Sequence, residues 1–324
     1  MNSEICVIVA SEFRPPWWLR NPHAQTILAS KVARPPVIPT IQQRIELADG
    51  DFLDINHTQK PSGDVVLLLH GLAGCIDSAY ISGVMLELET QGFRPVLMHW
   101  RGCSGEPNRL RQSYHSGATA DIAFMLDWLG ETYPNTAIHA IGYSLGANAL
   151  LKYLGESQTT ALASAIAVCP PLVLEEGAKK LDTGISRLYQ RYLLQLMRSQ
   201  HEKKRARYPA LELPVADGSL DTFWKFDDAL TAPLHGFADA REYYDQCSAR
   251  QYLPTIKIPT HILCAADDPF FTDKVIPGSE ELAQNTTLEV STHGGHVGFL
   301  QGREPRRWLD KHIANRLSSL RNGR

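Results

Sequence analysis

Three residues far apart in the chain have the types that nucleophilic acyl chemistry needs: Ser144, Asp268 and His296. Ser144 lies in Gly142-Tyr143-Ser144-Leu145-Gly146, the one G-x-S-x-G of the sequence. A serine hydroxyl is a weak nucleophile at neutral pH, so it needs a base to take its proton and a third group to orient that base. The apolar run 137–141 precedes the motif and a helical stretch 147–154 follows it, giving strand, sharp turn and helix. On so tight a turn, side chains two residues before and after the serine would collide, which accounts for both glycines. The bland alternative, a serine N-cap beside a glycine turn, leaves the downstream partners unexplained.

Those partners follow the last two strand-like runs. Residues 260–264 lead into Asp267-Asp268-Pro269-Phe270, and residues 287–290 lead into His293-Gly294-Gly295-His296. Serine, then acid, then histidine is the chain order that such an elbow takes. Asp268 is favoured as the acid because Pro269 fixes the turn after it, with Asp267 as the alternative. His296, in a glycine-lined loop, is favoured over His293 as the base. An oxyanion needs two preorganised NH donors. Leu145, directly after the serine, supplies one; Leu72, in His70-Gly71-Leu72-Ala73-Gly74 after the run 65–69, is assigned the other. His70 reads as a brace for that loop.

The rest of the chain must position these residues. Two alternating stretches, 41–47 and 52–57, flank Asp49-Gly50 and predict an antiparallel hairpin. Apolar runs at 65–69, 95–99, 137–141 and 163–168 then alternate with amphipathic segments at 81–91, 118–129 and 145–154. That rhythm predicts a doubly wound α/β domain with a mostly parallel sheet. After Pro170-Pro171 it breaks, and residues 172–255 read as a helical insertion forming a lid. The insertion's Arg198, Lys203, Lys204, Arg205 and Arg207 read as a solvated face, with a weak peripheral contact to anionic lipid as the sharper reading. The sheet resumes at 260–264 and 287–290, and Trp308, Ile313, Leu317 and Leu320 mark a closing helix. Residues 1–40 form an N-terminal arm, of which 11–40 is expected to be irregular because of Pro15, Pro16, Pro22, Pro35, Pro36 and Pro39. One domain, 1–324, accommodates the whole.

Composition narrows the function classes. A net charge of -3 and a pI of about 6.5 provide no global field that would gather nucleic acid or acidic membranes, so partners must be sought at local sites. The cysteines at 6, 75, 103, 169, 247 and 264 form no C-x-x-C pair, so neither a disulfide framework nor a zinc site is expected. An acidic, weakly apolar N-terminus makes a poor signal peptide, and no apolar run reaches membrane-spanning length. A cytoplasmic enzyme needing neither metal nor organic cofactor is the expectation.

Six segments in order carry a resemblance: Asn21-Pro22-His23-Ala24-Gln25-Thr26, Leu69 to Gly74, His99 to Asn108, Gly142 to Asn148, Asp267 to Phe270 and Gly294 to Phe299. Together they resemble the YheT-type branch of the α/β-hydrolases over almost the whole chain. The resemblance implies an α/β-hydrolase fold and a carboxylesterase or lipase-like serine hydrolase acting on a small-molecule acyl ester, with the triad Ser144, Asp268 and His296. Acyl transfer to an alcohol, phospholipid acyl hydrolysis and a non-catalytic scaffold are the competing functions. The His23 segment is read as a clamp of the arm and the segment 101–108 as a loop near the mouth of the site, with Arg101 a partner of Glu106 or Asp121 in preference to an anionic substrate group.

Overall fold

The computed structural model describes residues 7–31, 38–60 and 62–322; Cys6, Pro35, Pro36 and the first six residues of the terminal run lie outside them. Nine strands form the main sheet: β1 Val7–Ala10, β2 Ile41–Glu46, β3 Phe52–His57, β4 Val65–Leu69, β5 Arg94–Met98, β6 Ile138–Tyr143, β7 Leu162–Val168, β8 Thr260–Ala265 and β9 Thr286–Ser291. Their order is β1-β9-β8-β7-β6-β4-β5-β3-β2. From β5 across to β1 every pairing is parallel, and the pairings β5–β3 and β3–β2 are antiparallel. A separate two-stranded antiparallel ribbon joins β10 Leu300–Gln301 to β11 Arg306–Arg307.

Every residue of β4, β5, β6 and β8 is buried, because helices cover both faces. The helices are α1 Pro22–Lys31, α2 Ala79–Thr90, α3 Thr119–Thr132, α4 Leu145–Glu156, α5 Leu174–Leu181, α6 Ser186–Arg207, the single turns α7 Phe223–Phe226 and α8 Ala232–His235, α9 Ala240–Cys247 and α10 Trp308–Asn322. Strand alternation sorts the core into two layers. Val66 and Leu68 pack with Ile81, Val84 and Ile313 of α2 and α10. Val65, Leu67 and Leu69 face Ile122, Met125 and Leu150 of α3 and α4.

At the start of the arm β1 forms an edge strand parallel to β9. One feature departs from expectation. The arm is not irregular throughout: it contains the ten-residue α1. Its proline does not prevent this, since Pro22 occupies the first helical position, where a missing NH leaves no bond unmade. The Asn21 Oδ1 accepts from the NH groups of His23 and Ala24, at 2.9 and 3.1 Å, and so starts the helix.

Between β7 and β8 the chain leaves the sheet and builds α5 to α9. These helices have apolar clusters of their own, one around Leu194, Phe223, Phe226 and Leu230, another around Ala240, Tyr243 and Tyr244. The basic run at the end of α6 is not a uniform solvated face. Lys204 is buried, and its ammonium donates to Asn108 Oδ1 (2.8 Å), Gln112 O (2.8 Å), Ser113 Oγ (3.0 Å) and Arg111 O (3.1 Å). Burial pushes its pKa down to about 8. Arg198 donates to the Leu220 carbonyl, and Arg205 pairs with Glu202 at 2.8 Å. Helical periodicity alone could not reveal that this turn faces a loop 91 to 96 residues away. Among the described residues no helix is long and apolar enough to cross a membrane.

Candidate active site

β6 ends at Tyr143 and α4 begins at Leu145, so a single residue makes the turn between them. Ser144 takes φ 50° and ψ -117°, a conformation that costs a non-glycine residue on the order of 1–3 kcal/mol. Its NH is tied to the Val168 carbonyl of β7 at 2.9 Å, which holds the strained turn in place. The flanking glycines are required by contact. A Cβ on Gly142 would stand 2.5 Å from the Gly146 carbonyl oxygen, and one on Gly146 would stand 2.4 Å from that of Leu69.

The loops after β8 and β9 bring the other two groups to this turn. His296 Nε2 lies 2.9 Å from Ser144 Oγ, and His296 Nδ1 lies 2.8 Å from Asp268 Oδ2. A carboxylate can only accept, so Nδ1 carries the proton and Nε2 turns its lone pair toward the serine hydroxyl. The other Asp268 oxygen accepts from the Phe270 NH at 2.8 Å. Asp267 is directed elsewhere. It accepts from the Gly295 NH at 2.9 Å and meets His293 Nδ1 at 3.3 Å, so this second pair links the two loops. Burial is the largest influence on the Asp267 carboxyl and raises its pKa.

The loop 70–74 lies against the elbow, with Gly71 so close that a Cβ would approach the Ser144 Cβ to 3.2 Å. Tyr80 and Tyr114 hydroxyls take the NH groups of Gly71 and Ala73, each at 2.9 Å. The Leu72 NH between them and the Leu145 NH have no hydrogen-bond partner among the described residues. His70 is fully buried, accepts from the Trp100 NH at 3.2 Å, and its pKa is pushed down to about 3 by burial, so it is neutral.

The segments without an assigned chemistry have clear contacts. Thr26 Oγ1 accepts from the His296 NH at 2.9 Å while donating to Pro22 O at 2.8 Å. The Gln25 amide, fully buried, donates to the carbonyls of Leu19 and Leu300, and its oxygen accepts from the Leu300 NH at 2.6 Å. α1 therefore grips the histidine loop at His296 and again at Leu300. That loop holds Val297 at φ 54° and Phe299 at φ 48°, unfavourable for any side chain and most for a β-branched one. Gly295 must be glycine because a Cβ there would stand 2.4 Å from Pro22 O. Arg101 pairs with Asp121 at 2.7 Å and with Asp49 at 2.7 Å, whereas Glu106 pairs with Arg44. Asn108 donates to Asp51 at 2.6 Å. The segment 101–108 is thus stitched to the β2–β3 hairpin.

Two aromatic side chains near the base had no role assigned from the sequence. Phe270 stacks on the His296 ring, centroids 3.9 Å apart and planes 7° apart. Tyr189 of α6 packs on Phe270 at 5.0 Å, and its hydroxyl lies 3.0 Å from His23 Nδ1. Ser144 opens onto a cavity of about 1250 Å³, mouth included. Leu181, Leu193, Met197, Phe223, Phe226 and Leu230 of the inserted helices line much of it, with Asn108, His115, Lys204 and His235 at a polar part.

Among the described residues, two clusters have ligand-type side chains within metal-binding reach of one another. One comprises Cys169 with Asp268 and His296 themselves; the other is His261, Glu289 and His312. In the second, both imidazole Nε2 atoms lie 2.9 Å from the same Glu289 oxygen, and Arg316 stands 3.6 Å away. The guanidinium already balances the carboxylate charge.

A family model described as alpha/beta hydrolase fold matches residues 64–303. YheT of Escherichia coli (strain K12) is 39% identical over 320 residues, covering 96% of this chain and 94% of its own. A monoacylglycerol lipase of Saccharomyces cerevisiae is 31% identical over 255 residues, 75% of this chain and 56% of its own. The phospholipase ABHD3 of Mus musculus is 27% identical over 319 residues, 93% and 76% respectively. Among solved structures, an esterase of Pyrococcus furiosus aligns with a TM-score of 0.58 over 91% of this chain and 98% of its own. At 16% identity that likeness is one of fold.

Proposed function

Because the chain belongs to the alpha/beta hydrolase fold family, in its YheT-type branch, we propose that it hydrolyses carboxylic esters through Ser144, His296 and Asp268. One observation carries the reading: an unbroken hydroxyl, imidazole and carboxylate relay opens onto a largely apolar cavity. Ser144 Oγ attacks the acyl carbonyl as its proton passes to His296 Nε2. Asp268 keeps the imidazole in the productive tautomer and stabilises the imidazolium that forms. The NH groups of Leu72 and Leu145 donate to the oxyanion, and no other demand competes for them. His296 then returns the proton to the leaving alcohol, which departs and leaves the acyl group on Ser144. Water, deprotonated by His296, attacks that acyl carbon, and Ser144 recovers its proton as the acid leaves.

Residues 172–255 act in this reading as a lid whose apolar side chains hold the acyl chain and exclude water. Relatives named as a monoacylglycerol lipase and a phospholipase support lipid-like acyl esters as the substrate class.

The test is covalent labelling by a fluorophosphonate probe together with turnover of p-nitrophenyl esters from acetate to palmitate. Labelling and turnover are expected in the parent protein. In Ser144→Ala the label disappears and kcat falls by on the order of 10⁵-fold or more. A parent protein that neither labels nor turns over any ester overturns the reading.

A further inference from the structure

Six large apolar side chains stand exposed on the arm and on α6, two regions that touch each other. Trp17 is 81% exposed, Ile185 and Leu188 are 60% exposed, and Trp18, Ile27 and Tyr192 are about half exposed. Helical spacing gathers them. His23, Ile27 and Lys31 recur every four residues on α1, while Ile185, Leu188 and Tyr192 follow one stripe at the start of α6. The two stripes meet: His23 contacts the Tyr189 hydroxyl, and the Lys31 ammonium lies 5.0 Å from the centre of the Tyr192 ring. Trp17 and Trp18 precede α1, and their short helical turn is held to it by the Gln25 bond to the Leu19 carbonyl.

Scattered exposed apolar residues need no explanation, but tryptophans and aliphatics gathered on neighbouring elements do. The charges in the patch are mainly basic. Arg20, Lys31 and Arg191 are exposed and pair with no carboxylate among the described residues, while Arg187 has only a 3.8 Å approach from Asp182. Exposed indoles and aliphatics among unpaired cations are the combination that inserts shallowly into an anionic lipid interface. A second copy of the chain fits less well, since a two-fold contact would set Arg20, Lys31 and Arg191 against themselves or one another. The basic run at 198–207 does not offer this, because Lys204, Arg198 and Arg205 are engaged within the protein.

We propose that this patch is a docking surface for membranes carrying anionic phospholipid headgroups. It lies three rings from the reacting centre: Tyr189, beneath the patch, packs on Phe270, which stacks on His296. Docking there presses on α6, the helix that also supplies Leu193 and Met197 to the cavity. The surface would accordingly seat the enzyme where a lipid-like ester is found, although docking itself needs no catalysis.

The test uses full-length Ser144→Ala protein, so that vesicles stay intact and binding is read apart from turnover. Its flotation with phosphatidylglycerol/phosphatidylcholine vesicles is expected, with a blue shift of tryptophan emission, weaker at high salt and weaker still on phosphatidylcholine alone. Trp17→Ala with Leu188→Ser in the same background lowers the apparent affinity by at least about 10-fold. The same pair of changes in the active enzyme leaves turnover of a water-soluble ester unchanged, which shows that the fold is intact. Absence of flotation, equal flotation of the changed protein, or a dimer in gel filtration that the changes dissociate would each overturn the proposal.

Discussion

Strands β8 and β9 each contribute to two histidine–carboxylate groups, one beyond their carboxyl ends and one within them. At the carboxyl ends, Asp268 and His296 meet Ser144; within the strands, His261 and Glu289 meet His312 of α10. The residue types and the distances are nearly the same. What differs is what remains free. Glu289 is 2% exposed and receives both imidazoles and the approach of Arg316, so its capacity is spent within the protein. His296 has one nitrogen engaged by a carboxylate and the other aimed at a hydroxyl that opens onto a cavity. Reactive chemistry needs a group whose last partner is exchangeable; a carboxylate fully engaged by buried neighbours holds elements together.

The comparison breaks first, if it breaks, at Asp268. Asp268→Asn should lower kcat by on the order of 10⁴-fold, as the tautomer is lost, with little change in Tm. A large loss of Tm with modest loss of kcat would make the two clusters alike. Next comes the arm, which no local motif ties to catalysis. Thr26→Val removes the acceptor of the His296 NH, and kcat should fall on the order of 10- to 100-fold at nearly constant KM. Thr26→Ser should restore it, a rescue that a general loss of packing would not give.

Glu289→Gln should do the reverse of Asp268→Asn. Removing the charge and replacing one acceptor oxygen by an NH2 donor among buried donors costs about 3 kcal/mol, read as a fall in Tm with kcat unchanged. The pH dependence has a definite sign. Burial works against the charge, but hydrogen bonds from His261, His312 and Ser11 outweigh it and hold the Glu289 carboxyl well below the usual glutamate range. Its contribution is therefore present above that range and is lost as pH falls through the folded value. The Tm gap between the parent and Glu289→Gln should stay constant at neutral pH and narrow only below about pH 4.3. The smallest effect is expected at the loop link. His293→Gln should change kcat by no more than about 3-fold, since its imidazole meets Asp267 and not the serine.

Much of the architecture was legible because it is written locally. Fully buried strands read as continuous apolar runs, the Asp49-Gly50 turn marked the hairpin, and the glycines around Ser144 announced a turn too tight for side chains. α1 was missed because six prolines in the arm outweighed the Asn21-Pro22 start signal, although that pair suits a helix N-terminus. The basic run on α6 was read as one face because spacing says which residues share a stripe, but not what lies opposite.

By itself the sequence determined which backbone each segment can adopt and which side chains must be buried, since steric limits and hydrophobic periodicity act over a few residues. It also specified the candidate nucleophile, base and acid by type and order. Only the tertiary structure decided that Asp268 and not Asp267 meets His296, that Thr26 reaches across 270 residues to hold that histidine, and that Lys204 is spent on a loop. Those choices depend on how layers pack against one another. Interactions between groups brought together by a common core are set by the shape of that core, and no window of the chain contains it.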